Sequence, residues 1–383
     1  MPYAKAERLD IISVRACFRA EADRLAELAL NPSASVPSPR QERIPTLDGW
    51  RGIAILLVLF DHIEHAAQGH YAHPWMQTGE HGVTIFFVLS GYLITARLLD
   101  GPIDLQRFFI RRFFRLMPVA WTYLAVLLLL SCLVHIPFTS IPEVEACVFF
   151  YRNFAEPPGL AAAGHFWSLS LEEQFYLVWP CVLLLAGAKK CRWIAAAGAI
   201  VCASARWMYW ARYGQDYSST QSHLRADSLL IGCLMALLLQ SPRIRSAATR
   251  WSRLWALPAA AFLLFCMARF HVMAPLSESI AIAALIAAAS LNYDSIFARP
   301  LSNRFLTQLG VISYSIYVWQ EIFMFHWGNP GAAVLLCACL PLVVIASYTY
   351  IERPFTRIGH ELTSGTREKQ ILRIPQPLEA QTE

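Results

Sequence analysis

Ten apolar runs recur along this chain, at about 49–66, 80–99, 116–136, 168–187, 193–210, 223–240, 254–270, 276–292, 306–328 and 332–351. Each approaches the roughly 20 residues that a helix needs to cross the hydrocarbon core of a bilayer. The whole chain is 56% hydrophobic and only 15% charged, against roughly 25% charged in a soluble domain. These features predict an all-α integral membrane protein, a bundle of about ten transmembrane helices. No feature points to nucleic acid.

The loops fix an orientation, because cytoplasmic loops retain Lys and Arg. With the N-terminus inside, the inner segments 1–48, 100–115, 188–192, 241–253, 293–305 and 352–383 hold 25 of the 32 basic residues. The outer loops hold two, Arg152 and Arg212. Both termini of this multi-pass protein are therefore expected to be cytoplasmic. An eleventh span at Ile141 to Phe154 would reverse every later segment and move 14 basic residues outside. That stretch is short and polar, and it reads as a re-entrant or interfacial piece.

Three regions are expected: a cytoplasmic extension and linker over 1–43, a transmembrane domain over 44–357 and a polar cytoplasmic tail over 358–383. Ala4 to Leu30 combines Ile11, Ile12, Val14 and Phe18 with Arg15, Arg19 and Arg24. That pattern suits an amphipathic helix on the inner leaflet, and a cytosolic helix fits equally. Asn31 to Arg40, rich in Pro and Ser, reads as a linker, and the tail after Glu361 as disordered. The first 30 residues lack the uninterrupted apolar region of a cleavable signal peptide. The ten cysteines show no C-x-x-C and no Cys/His ligand spacing, so they read as small packing residues and no metal is expected.

Within the first run, Arg51 and His62 lie eleven residues apart. An arginine at the bilayer centre costs roughly 2.5–3.5 kcal/mol on insertion scales, so ionisable groups there are functional candidates. A helix separates the two by about 16 Å along its axis. Arg51 then belongs near the inner face. Asp61, His62, Glu64 and His65 fall near the outer one, at the depth where Trp167 to Tyr176 opens the fourth run and His223 to Asp227 the sixth. A histidine, carboxylates such as Glu172 and an arginine, Arg225, would thus meet at one level, the parts needed to deprotonate a hydroxyl and steady the resulting charge.

At the inner end Arg97, Arg107, Arg111, Arg112 and Arg115 concentrate positive charge. Such a cluster suits phosphates, and ordinary retention of basic loops accounts for it as well. Adjacent helical residues point about 100° apart, so Glu172 and Glu173 are not expected to face one site, and one of them pairs with Arg225 or solvent. Tyr314, in Ser313-Tyr314-Ser315-Ile316-Tyr317, either binds a polar ligand or holds helices together. Gln320 and Glu321 lie deeper in the same run.

Taken in order, these strings resemble the membrane-bound acyltransferase family 3, O-acyltransferases of exported sugars and other molecules. Asp48-Gly49-Trp50-Arg51-Gly52 with His62 is similar to its first-span arginine and histidine. Phe86 through Ile94 resembles its second-span signature, Arg112 through Pro118 its basic loop motif, and Trp167 through Tyr176 its glutamate motif, with Glu172 at the matching position. Arg225-Ala226-Asp227, Ser313 through Tyr317, and Ile351 through Phe355 are similar to later blocks. One departure stands out: Gln320 occupies a position where many members carry histidine, and glutamine cannot take a proton.

The resemblance implies acyl transfer, acetyl being the commonest case, from cytosolic acyl-CoA (acetyl-CoA) to a hydroxyl of an exported glycan or glycolipid. In that scheme Arg112 and Arg115, helped by Arg97 or Arg111, hold the phosphates of coenzyme A. His62 is the general base, Glu172 or Asp61 orients it, and Arg51 stabilises the thioester oxygen or places a phosphate. Arg225, Asp227 and Tyr314 would hold the acceptor. The chain ends about 30 residues after its last span, from which it is expected to acylate its final acceptor itself. On physics alone, a transporter or flippase with buried charge and a catalytically silent scaffold remain the competing classes.

Overall fold

A computed structural model describes residues 44–68, 78–135, 138–155, 161–213, 220–269, 275–292, 295, 298–324 and 330–371. The helix and linker expected over 4–40 lie outside the described residues. The described residues are helical and contain no strand. In chain order the helices are α1 (Pro45–Gln68), α2 (Gly79–Leu99), α3 (Leu105–Val134), α4 (Ile141–Val148), α5 (Phe166–Tyr213), α6 (Ser222–Arg225) and α7 (Asp227–Leu239). They continue as α8 (Pro242–Arg269), α9 (Pro275–Leu291), α10 (Ala298–Leu301), α11 (Arg304–Met324), α12 (Pro330–Ser347) and α13 (Arg353–Ile371).

Among the described residues, the ten apolar runs fall within or at the ends of these helices and of a π-helical turn at Tyr348–Glu352. Three of them, α2, α3 and α5, are long and apolar enough to cross a membrane. A fourth candidate is the pair formed by α7 and the first part of α8, bent by 106°. The protein is therefore a multi-pass membrane protein. In α5 two apolar runs join at Gly187, whose φ of 73° lies in the left-handed region that glycine enters without strain. Leu177, Leu184, Leu185, Ile200 and Val201 on its two arms are exposed, as suits side chains that meet lipid.

Helix α1 packs along α11 and α2, α2 packs on α7, and α13 lies against α3. Glycine permits the closest of these approaches. A Cβ at Gly310 would stand 1.8 Å from the Asp48 carbonyl oxygen, and one at Gly49 1.9 Å from that of Leu301. With side chains absent there, α1 touches α11 and α10 backbone to backbone, as small residues allow in membrane bundles.

The segment between α3 and α5 dips into the bundle. Ser140 caps the eight-residue α4, its hydroxyl accepting from the Glu143 amide at 3.3 Å. At about 12 Å long α4 cannot cross a bilayer. Phe138, Ala162 and Phe166 are fully buried, and the Tyr123 hydroxyl donates to the Ala162 carbonyl. Helix α3 continues eleven residues, about 16 Å, past Tyr123, so α5 begins well inside the bundle and not at its outer surface.

The tail departs from the disorder expected after Glu361. Helix α13 runs on to Ile371, with Gly359 against Phe114 and the Thr363 hydroxyl accepting from Arg111 Nε at 2.7 Å. Docking on α3 supplies the order that a polar sequence lacks alone. A π-helical turn, Tyr348–Glu352, precedes it and turns Glu352 inward, where its carboxylate accepts from Ser315 at 2.6 Å.

Candidate active site

Because α1 is unbroken, Arg51 and His62 serve two separate polar groups. Near the start of α1, Arg51 donates to Asp48 at 2.9 Å and lies within Coulombic reach of Arg115, Glu172 and Glu352. Arg115 is also close to Arg112 and Glu352. Arg97 is exposed at the end of α2, beside Arg115, Arg112 and Asp100.

Arg112 differs from its neighbours. Its guanidinium lies 3.3 Å from the centre of the Tyr176 ring, and its Nε is 3.5 Å from Glu173. Glu172 accepts from the Ser90 hydroxyl at 2.7 Å and also lies within reach of Arg112. The two adjacent glutamates thus point toward α2 and α3, as their 100° separation requires, yet one long arginine reaches both. Sequence reasoning placed Arg112 at the inner face and these glutamates near the outer one. They meet because α5 starts deep in the bundle.

Tyr314 belongs to the same group as Arg112 and Glu173. Its hydroxyl donates to the Leu116 carbonyl at 2.6 Å, which ties α11 to α3. Arg225 and Asp227 lie elsewhere. Arg225 stands over Trp167 at 5.4 Å and 3.7 Å from Glu80, not against Glu172 or Glu173. Asp227 is fully buried and ion-paired with Arg206. Arg225 and Asp227 thus lie within Coulombic reach of each other, and Tyr314 belongs to a different cluster.

The second group surrounds His62. Its Nε2 lies 3.2 Å from a Glu321 carboxylate oxygen, so Glu321 occupies the orienting place expected of Glu172 or Asp61. The Asp61 carboxylate lies against Gly79. With Nε2 directed at a carboxylate, the hydrogen belongs on Nε2 and the lone pair on Nδ1. Nδ1 is buried and has no hydrogen-bond partner.

His165, in the turn before α5, lies within Coulombic reach of His62. The sequence gives it no periodic or spacing signal beyond its place two residues before Trp167. Tyr317 connects the two groups. Its hydroxyl is 2.5 Å from Ser168 Oγ, and the two approach the His165 carbonyl at 3.3 and 3.1 Å. Tyr317 is also within Coulombic reach of both Glu321 and Glu172. Glu172 thus links Arg51 to Tyr317, and Tyr317 links Glu172 to Glu321, the partner of His62.

An acyltransferase domain family matches residues 44–352. The chain belongs to this family. It is 31% identical over 370 residues to the putative peptidoglycan O-acetyltransferase YrhL of Bacillus subtilis, covering 82% of this chain and 55% of that protein. It is 27% identical over 364 residues to peptidoglycan O-acetyltransferase OatA of Listeria monocytogenes, covering 82% and 56%. A putative O-acetyltransferase of Staphylococcus aureus, SACOL0978, is 27% identical over 356 residues, covering 82% and 58%. The chain thus spans just over half the length of these relatives. No solved structure matches it.

Proposed function

We propose that this acyltransferase carries an acetyl group from cytosolic acetyl-CoA to a hydroxyl of an exported carbohydrate or glycolipid. Ten spans in a bacterial cytoplasmic membrane, with both ends inside, fit the distribution of basic residues. The relatives' names make a peptidoglycan sugar the first acceptor to test.

The reading rests chiefly on the pairing of His62 with Glu321. Glu321 holds the imidazole by Nε2–H, and Nδ1 is left to take the proton of the acceptor hydroxyl, the ordinary use of a carboxylate-oriented histidine. Coenzyme A is polyanionic, and Arg97, Arg107, Arg111 and Arg115 gather positive charge at one end of the bundle. Arg112 is partly committed to Glu173 and Tyr176, so phosphate contacts fall first to Arg97, Arg111 and Arg115. The pantetheine arm would follow the path past Arg51 and Tyr317, which places the thioester by His62. Arg51 then assists the donor and takes no direct part at the reacting carbonyl, since about 16 Å of helix separates it from His62.

Radiolabelled acetyl transfer from acetyl-CoA, in membranes carrying wild type or His62→Ala, tests this. Label should enter extracted glycans or glycolipids with wild type alone. Equal labelling with both proteins removes His62 from the mechanism, and none with wild type removes the acetyl-CoA donor.

A further inference from the structure

Arg225, at the end of α6, keeps only 11% of its side chain exposed, while the Glu80 side chain beside it, at the start of α2, is 59% exposed. The two approach to 3.7 Å, and the Arg225 guanidinium stands 5.4 Å from the centre of the Trp167 ring. Among the described residues the guanidinium donates no hydrogen bond, since 3.7 Å exceeds that range. Asp227, the other carboxylate within its reach, is taken by Arg206. A guanidinium brings several N–H donors, and burying them unused calls for a reason. The contact with Glu80 does not supply it, because an ion pair this long and this open to water contributes little.

The gap is of a size that a hydroxyl can bridge. A hydroxyl both accepts and donates, so one placed between the two groups accepts from Arg225 and donates to Glu80. A sugar carries such hydroxyls on neighbouring carbons round its edge and C–H bonds on its faces. It therefore matches a donor and an acceptor set beside an aromatic ring, with Trp167 as the apolar surface. The local charge argues against an anion. Arg225 faces Glu80 and Arg206 faces Asp227, so positive charge is matched here, unlike among Arg97, Arg111 and Arg115.

Placement agrees with a role for the acceptor. Glu80 and Arg97 lie near opposite ends of α2, about 26 Å apart along its axis, which separates this pair from the arginines assigned to the donor. His62 is close by. A Cβ at Gly79 would stand 2.9 Å from the Asp61 carboxylate, and Glu80 follows Gly79 as His62 follows Asp61. Trp167 is likewise two residues beyond His165, which is within Coulombic reach of His62.

We propose that Glu80, Arg225 and Trp167 form the acceptor subsite, which holds a neutral sugar ring by neighbouring hydroxyls: Arg225 donates to them, Glu80 accepts from them, and Trp167 lies against the ring. This deepens the acyl-transfer reading given above by locating its acceptor. It leaves His62 free to take the proton of a further hydroxyl on the bound glycan.

The test has two parts, both with the full-length detergent-purified protein and the neutral disaccharide of N-acetylglucosamine. The first is binding without acetyl-CoA, followed by saturation-transfer NMR, for wild type, Glu80→Ala, Glu80→Gln and Arg225→Gln. Loss of one hydrogen bond to a charged group should raise Kd about tenfold or more in Glu80→Ala and Arg225→Gln. Glu80→Gln, which keeps an acceptor oxygen, should recover part of the loss, and inorganic phosphate should not displace the sugar. Glu80 is exposed, so Glu80→Ala decides the matter if Arg225→Gln does not elute as a monodisperse protein. Absence of binding to wild type, wild-type affinity in Glu80→Ala, or displacement by phosphate overturns the subsite. The second part is steady-state acetyl transfer to the same disaccharide, where Glu80→Ala should raise KM for the sugar and not KM for acetyl-CoA. Transfer at the wild-type sugar KM in Glu80→Ala overturns the subsite and retains the acetyl-CoA reading. Glu80-dependent binding with no transfer by wild type retains the subsite and overturns the acetyl-CoA reading.

Discussion

His62 Nε2 faces the Glu321 carboxylate at 3.2 Å across the contact between α1 and α11. The pair joins residues 259 positions apart in sequence, and it decides which nitrogen of His62 is free. Glu321→Gln keeps the size of the partner but removes the charge that steadies an imidazolium. It should lower kcat by about 10- to 100-fold, less than the 10²- to 10⁴-fold expected for His62→Ala. Acetyl transfer at several pH values checks this, and a glutamine variant with unchanged kcat would assign Glu321 to helix packing alone.

Arg112 should separate from the other arginines in its effect. Removing it strands Glu172 and Glu173 inside the bundle, and breaking such a buried pair costs up to about 3–5 kcal/mol. Arg112→Ala should therefore lose thermal stability in detergent. Arg97→Ala, at an exposed position, should keep its stability and raise the KM for acetyl-CoA about tenfold, one charged hydrogen bond of ~1.5 kcal/mol being lost. The opposite pattern would move the donor phosphates onto Arg112.

His360 reports on the same end of the bundle. Partial burial first, and then Arg111, Arg97, Arg107 and Arg115, hold its imidazole below the usual histidine range. A histidine lowered in the folded state binds fewer protons there than when unfolded, so its contribution to stability is present above about pH 6.5 and lost as pH falls below it. A polyanion bound to those arginines would offset their charge and raise the His360 pKa. Acetyl-CoA binding near pH 6 should then be accompanied by proton uptake. Calorimetry in buffers of different ionisation enthalpy should detect the uptake in wild type and find it reduced in His360→Gln. Equal uptake in both proteins places the phosphates elsewhere.

Gly310→Ala tests the close contact that aligns His62 with Glu321. A methyl group 1.8 Å from the Asp48 carbonyl must push α1 away from α11. Overpacking of this kind costs typically about 1–3 kcal/mol, and the movement spreads His62 from Glu321. The melting temperature and acetyl transfer should fall together. An alanine variant as stable and active as wild type would show that the helices separate without disturbing the pair.

Much of the helical layout was legible because long apolar runs demand helices. Arg51 and His62 were legible as well, since an ionisable group inside an apolar run is costly to insert and is rarely kept without a use. The meeting of Arg112 with Glu173 was not, because equal spans placed them at opposite faces. Only the dip of the chain before α5 brings them level. Glu321 was visible as a polar residue deep in a run, but nothing local to it indicates His62. His165 had no signal beyond its place two residues before Trp167, lying in a turn where periodicity is silent.

The sequence by itself determined that this chain enters a membrane as helices, and that ionisable groups sit inside them, because hydropathy and charge act residue by residue and need no partner. Tertiary structure decided which carboxylate holds His62, which arginines remain available to an anion, and that His165 stands beside His62. Those outcomes depend on which helix faces meet and at what depth. Glycine contacts between α1 and α11 and the deep start of α5 set them, and neither the rotation of a helix nor its depth can be read from its own residues.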